Sequence, residues 1–297
     1  MQYLINGFRG FCMALADSVP GVSGGTIAFI LGFYDQFVIA LNNIIFGSKL
    51  EKKEAFFFLM KLGIGWILGM IIATLILTSL FEKHIYSVSS LFLGFIIFSI
   101  PLMINAEKNC LKGKYKNIVF LLLGVMIVSL ITYLNPVSGG NGINITNLNI
   151  SLAIYIFISA MIAISAMVLP GISGSTLLLI FGLYMPIMNA IKSFIHLDFS
   201  YFKVLFIFGL GILTGIILVI KLIKIALEKF RSQMVYMIIG LMIGSLYAII
   251  MGPTTLETPQ NAMNLSSFSI IWFIIGGIII LGLENTKKVF NKKNNVV

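Results

Sequence analysis

Residues suited to holding an anion without opposing charge gather in two short stretches of this chain. The first reads Asp17-Ser18-Val19-Pro20-Gly21-Val22-Ser23-Gly24-Gly25-Thr26, the second Pro170-Gly171-Ile172-Ser173-Gly174-Ser175-Thr176. Glycine lets the backbone approach a ligand closely and adopt dihedrals closed to other residues. Proline suits the first turn of the helix that follows. Free N–H groups at such a helix start, beside the hydroxyls of Ser18, Ser23, Thr26, Ser173, Ser175 and Thr176, would offer neutral donors to an anion. The same small residues would also permit tight helix packing. Recurrence favours the site: the two stretches lie 150 residues apart, and the match runs on through Gly32-x-Tyr34 and Gly182-x-Tyr184.

Two charged residues accompany the first copy only. Arg9 and Asp17 are replaced by Ser159 and Met167 in the second. A charge at membrane depth is costly and marks a functional candidate. Arg9 could hold a phosphate bidentately, or snorkel to the interface. Asp17 could take up H+ or Na+, or cap a helix. Coupling to either ion stays open, and no cofactor is expected. His84 and His196 have no ligand partners at metal spacing, and Cys12 and Cys110 are isolated thiols. An intramembrane lipid phosphatase is disfavoured, because no His/Asp/Arg set falls at one depth.

The elements that must carry these stretches are membrane helices. The chain of 297 residues is 59% hydrophobic and only 10% charged, with mean hydropathy +1.06; a soluble domain carries about 25% charged residues. Apolar runs near 20 residues, enough to span a bilayer, recur from end to end. Its net charge of +10 sits in short loops between those runs, as the positive-inside rule requires, so nucleic acid is not the expected partner. Arg9 and Asp17 interrupt the first apolar segment, which does not read as a cleaved signal peptide.

The halves retrace one plan. Gly65-x-x-x-Gly69 recurs as Gly211-x-x-x-Gly215 at an offset of 146, as do Glu82-Lys83 in Glu228-Lys229, Gly94 in Gly240 and Ser99 in Ser245. Basic loops at 49–61 and 108–116 in the first half have poorly charged counterparts, whereas Lys221, Lys224, Lys229, Arg231 and the 287–293 cluster are basic where the first half is not. Opposite charge bias predicts opposite insertion, an inverted-topology repeat of the secondary-transporter kind. The expected protein is all-α and polytopic. One repeat covers 1–148 with a re-entrant hairpin at 1–46, the other 149–297 with a hairpin at 151–191, plus six full spans; ten full spans is the alternative. Both termini are expected in the cytoplasm, and a homo-oligomer is left open.

At Ala16 to Thr26 with Gly32-x-Tyr34, and at Pro170 to Thr176 with Gly182-x-Tyr184, the chain resembles the bacterial polyprenyl-phosphate transporter family over essentially its whole length. The resemblance implies return of undecaprenyl phosphate from the outer to the inner leaflet of the cytoplasmic membrane, supporting cell-wall synthesis. The residues alone admit another reading, an ion-coupled transporter of a small water-soluble anion. Basic span ends would draw an anionic headgroup or membrane lipids. The binding residues expected are Arg9, Asp17, Ser18, Pro20, Gly21, Ser23, Gly24, Gly25 and Thr26 of one copy, and Pro170, Gly171, Ser173, Gly174, Ser175 and Thr176 of the other.

Overall fold

The computed structural model describes residues 2–17, 23–72, 78–134, 145, 148–255 and 259–294. It is all-helical, with no strand among the described residues. Backbone groups in hydrocarbon have no water to pair with, so each apolar run closes its own hydrogen bonds as a helix.

The first half holds α1 (Gln2–Asp17), α2 (Gly24–Ile30), α3 (Tyr34–Phe46), α4 (Lys49–Ile72), α5 (Thr78–Ala106), α6 (Lys108–Leu111) and α7 (Ile118–Leu134). The second holds α8 (Ile150–Met167), α9 (Gly174–Ile180), α10 (Tyr184–Ile195), α11 (Phe202–Lys229), α12 (Arg231–Met251) and α13 (Ile270–Asn294). Each signature has the same local build: a helix, a break, a seven-residue helix, a left-handed glycine and another helix. The left-handed residues are Gly32 (φ 71°) and Gly182 (φ 65°), a conformation in which a Cβ would be strained.

Among the described residues, six helical stretches are long and apolar enough to cross a bilayer: 49–72, 84–106, 115–134, 150–167, 202–229 and 231–254. Five of them, all but 150–167, lie outside the two signature segments. The sixth, 150–167, is the first arm of the second signature segment, whereas the apolar part of α13, 270–282, is shorter. The difference is compositional. α8 has no charge in its 18 residues, while α1 is 16 residues long and carries Arg9 and Asp17.

Helices pair through glycine seams. A Cβ at Gly65 would fall 1.8 Å from the Gly7 carbonyl oxygen, and one at Gly69 would meet Phe11 and Ala14, so α1 and α4 run in the same direction. Gly211 lies against Phe157 and Ala160, and Gly215 against Met161 and Ile164, giving α8 and α11 the same parallel contact. Two further seams join the halves: Gly124 and Gly240 bring α7 onto α12, and Gly94 and Gly276 bring α5 onto α13. Close backbone approach is how membrane helices gain packing when lipid is as apolar as their side chains.

The loops meet in two groups. Near one end, Asn117 Nδ2 donates to Ser232 Oγ across 2.9 Å. At the other, Tyr86 Oη donates to the Asn261 carbonyl across 2.9 Å, and the Ser269 amide to Ser90 Oγ across 3.0 Å. The first group joins the basic stretches around 108–116 and 221–231; the second joins poorly charged ones.

Candidate functional site

The two signatures touch in the interior. Ser23 precedes α2 in extended conformation, and its hydroxyl caps the helix by accepting from the Thr26 amide at 3.3 Å. The Ser23 and Thr26 hydroxyls are 3.1 Å apart. The amide of Gly171 donates to both, at 3.2 Å to Ser23 Oγ and 2.8 Å to Thr26 Oγ1. Gly171 is left-handed, at φ 89°, and its amide sits outside any helical ladder. A buried N–H must find an acceptor, and the first copy's hydroxyls supply it. Tyr34 Oη donates to the Val168 carbonyl across 3.1 Å, just before Pro170. A Cβ at Gly25 would press on the Val168 carbonyl and on Leu169.

The hydroxyls of Ser23 and Thr26 do not face open space. Ser23 is 0% and Thr26 1% exposed, and both engage the other copy's backbone. Ser173 is buried, Pro170 and Gly171 are enclosed, and Thr176 is half-buried in α9. Ser18, Pro20 and Gly21 lie outside the described residues, as does the side chain of Ser175.

Asp17 ends α1 beside the start of α2. Its Oδ1 accepts from the Gly24 amide at 2.6 Å and its Oδ2 from Trp66 Nε1 at 2.9 Å. The carboxylate thus caps a neighbouring helix and ties it to α4. A Cβ at Gly24 would fall 2.7 Å from Asp17 Oδ2, so this glycine makes room for the carboxylate. In the second copy Met167 takes the same place, with Gly174 against its side chain. Arg9 donates to Asn6 Oδ1 at 3.0 Å and lays its guanidinium 4.8 Å above the Phe33 ring, within the Gly32-x-Tyr34 turn.

Sequence reasoning missed three partners. Trp66 is one of two tryptophans and carries no motif. The Tyr34–Val168 contact joins residues 134 apart and is invisible before folding. The third is an ion cluster: Arg231 binds Glu107 through two nitrogens and Asp35 through Nη1. Arg231 reads in the sequence as one of several basic span-end residues. The available signal was Glu107, a lone acid opening an otherwise basic loop.

Together these features define a class: an all-α, polytopic membrane protein whose two glycine-serine signatures meet in the interior. The undecaprenyl phosphate translocase-like family model matches residues 13–267. The chain is similar to a polyprenyl-phosphate transporter of Staphylococcus aureus, with 36% identity over 279 residues, covering 94% of this chain and 95% of the relative. It is also similar to a polyprenyl-phosphate transporter of Vibrio cholerae, with 32% identity over 272 residues, covering 88% and 82% respectively. No solved structure matches. The chain belongs to the undecaprenyl phosphate translocase-like family, whose curated relatives are named as transporters.

Proposed function

We propose that this chain carries a polyprenyl phosphate, undecaprenyl phosphate foremost, from the outer to the inner leaflet of the bacterial cytoplasmic membrane by alternating access. The two relatives' names supply the substrate class. The observation that carries the mechanism is the pair of hydrogen bonds from Gly171 to Ser23 and Thr26, contributed by opposite halves. A joint between two repeats is where such carriers place their substrate.

The halves are read as inverted repeats, 1–148 and 149–297, with both termini cytoplasmic. Support comes from loop charge and loop contact together: segments assigned to one side by lysine and arginine content are also neighbours in space. The parallel pairing of α1 with α4, and of α8 with α11, fits a signature segment that returns the chain to the side it left, as a re-entrant hairpin or as a pair of full spans. If two parallel helices begin on one side, the segment between them must return the chain there. At 16 residues α1 rises about 24 Å, short of a hydrocarbon core near 30 Å.

In this reading the phosphate meets the neutral donors of the signatures, Ser23, Thr26, Ser173, Ser175, Thr176 and the glycine amides, when the halves part. The isoprenoid tail stays in lipid. Asp17 and Arg9, present in one copy only, set that hairpin's position and leave coupling to H+ or Na+ open.

The test is a flip assay in proteoliposomes, reading how fast labelled polyprenyl phosphate becomes inaccessible to an external phosphatase. Wild-type protein is expected to move the lipid, Thr26→Val and Arg9→Ala to slow it, and excess inorganic phosphate to leave it unchanged. Failure to move the lipid, with uptake of inorganic phosphate instead, would select the small-anion reading.

A further inference from the structure

Resting on that reading, we propose that Arg231 is a phosphate-exchange ligand. Glu107 and Asp35 occupy its guanidinium until a phosphomonoester headgroup displaces them.

Arg231 begins α12 in the second half. It grips Glu107 with Nη2 and with Nε at 3.2 Å, a two-nitrogen clasp, and donates from Nη1 to Asp35 Oδ2. Both acids belong to the first half, Asp35 in the first turn of α3 and Glu107 just after α5. The cluster borders a cavity of about 180 Å³ that Gly32, Tyr34 and Ser99 also line. Tyr34 therefore reaches the second signature through Val168, while its neighbour Asp35 reaches Arg231. A single peptide bond, Tyr34 to Asp35, connects the signature joint to the ion cluster.

The guanidinium fork that fits a carboxylate fits two phosphate oxygens equally well. One guanidinium already faces two carboxylates through three of its five N–H donors, so an added phosphate meets like-charge repulsion and competes with the acids for the fork. The exchange is accessible: the Asp35 side chain is 43% exposed and that of Arg231 35%, so a released Asp35 is rehydrated. Asp35 also lines an adjoining groove with Lys224 and Glu228, which pair with each other at 4.0 Å. Because Arg231 spans the halves, taking it from Glu107 and Asp35 removes a cross-link between them, and headgroup arrival loosens the joint. The device is built once. Met185, Ile85 and Pro253 stand at the positions related by repeat to Asp35, Arg231 and Glu107.

The test uses the full chain in nanodiscs and measures Kd for farnesyl phosphate, farnesol and inorganic phosphate. Arg231→Gln is expected to weaken farnesyl phosphate binding about tenfold or more, the loss of a charge-assisted pair, with Arg231→Lys in between. Glu107→Gln is expected to tighten binding about threefold or more, because a competitor has gone; Asp35→Asn gives the same reading where Glu107→Gln does not fold. Opposite shifts for the arginine and its acids support exchange, whereas a merely structural clasp moves both the same way. Weaker binding in Glu107→Gln and Asp35→Asn, or no change in Arg231→Gln, overturns the proposal while leaving the transport reading standing. If inorganic phosphate binds wild type as tightly as farnesyl phosphate and the opposite shifts persist, exchange stands and the lipid reading falls.

Discussion

The amide of Gly171 lies 2.8 Å from Thr26 Oγ1, so a glycine of one signature is held by a hydroxyl of the other. Thr26→Val keeps the shape and removes the acceptor, leaving Ser23 Oγ at 3.2 Å as the remaining one. An under-satisfied buried N–H costs about 1–3 kcal/mol. Thermal unfolding in detergent should fall accordingly, while Thr26→Ser, which retains the oxygen, should stay near wild type.

Glycines two residues apart should behave oppositely. Gly63 and Gly209 have open space where a Cβ would go, whereas Gly65 and Gly211 face the backbone of α1 and α8. Gly65→Ala and Gly211→Ala should destabilise by about 1–3 kcal/mol through overpacking. Gly63→Ala and Gly209→Ala should be neutral or slightly stabilising, by up to about 1 kcal/mol from helix propensity. Denaturation of the four variants side by side checks the pattern.

Asp17 caps α2 through Oδ1 and holds Trp66 through Oδ2. Asp17→Ala removes both bonds and should cost at least about 1.5–3 kcal/mol, the range for a single hydrogen bond to a charged group. Asp17→Asn keeps an acceptor for the Gly24 amide and should cost less. Trp66→Phe should resemble Asp17→Asn in stability. Equal losses for Asp17→Asn and Asp17→Ala would place the effect on the charge rather than the cap.

Cys110 reports on Glu107 from outside the spans. Its thiol donates to the Glu107 carbonyl at 3.1 Å and lies 3.4 Å from Oε2. Burial first, then the hydrogen bond and charge of Glu107, push the thiol above its ordinary value. The thiolate is the reactive form, so a raised thiol alkylates slowly at neutral pH. In a Cys12→Ala background, Glu107→Gln removes a raising influence and should shift the alkylation profile to lower pH. A shift to higher pH would contradict the contact.

Much of the architecture could be read before folding, because it rests on local chemistry. The apolar runs had to be helices, and the offset of 146 linking Gly65 to Gly211 marked equivalent packing faces. Asp17 as a cap was one of two readings, since an acid before a glycine-led helix start has that use wherever it lies. The Gly32 and Gly182 turns were legible as glycine positions but not as left-handed ones.

Sequence alone determined that this chain lives in a membrane, repeats itself and carries two signatures, because composition, charge bias and self-similarity belong to the covalent chain. Only the tertiary structure decided that Ser23 and Thr26 face Gly171 rather than an open cavity, and that Arg231 joins Glu107 and Asp35. Those pairings span 145, 148, 124 and 196 residues. At such separations no local rule selects a partner. The choice falls to the packing of whole helices, and to the cost of leaving a polar group buried without one.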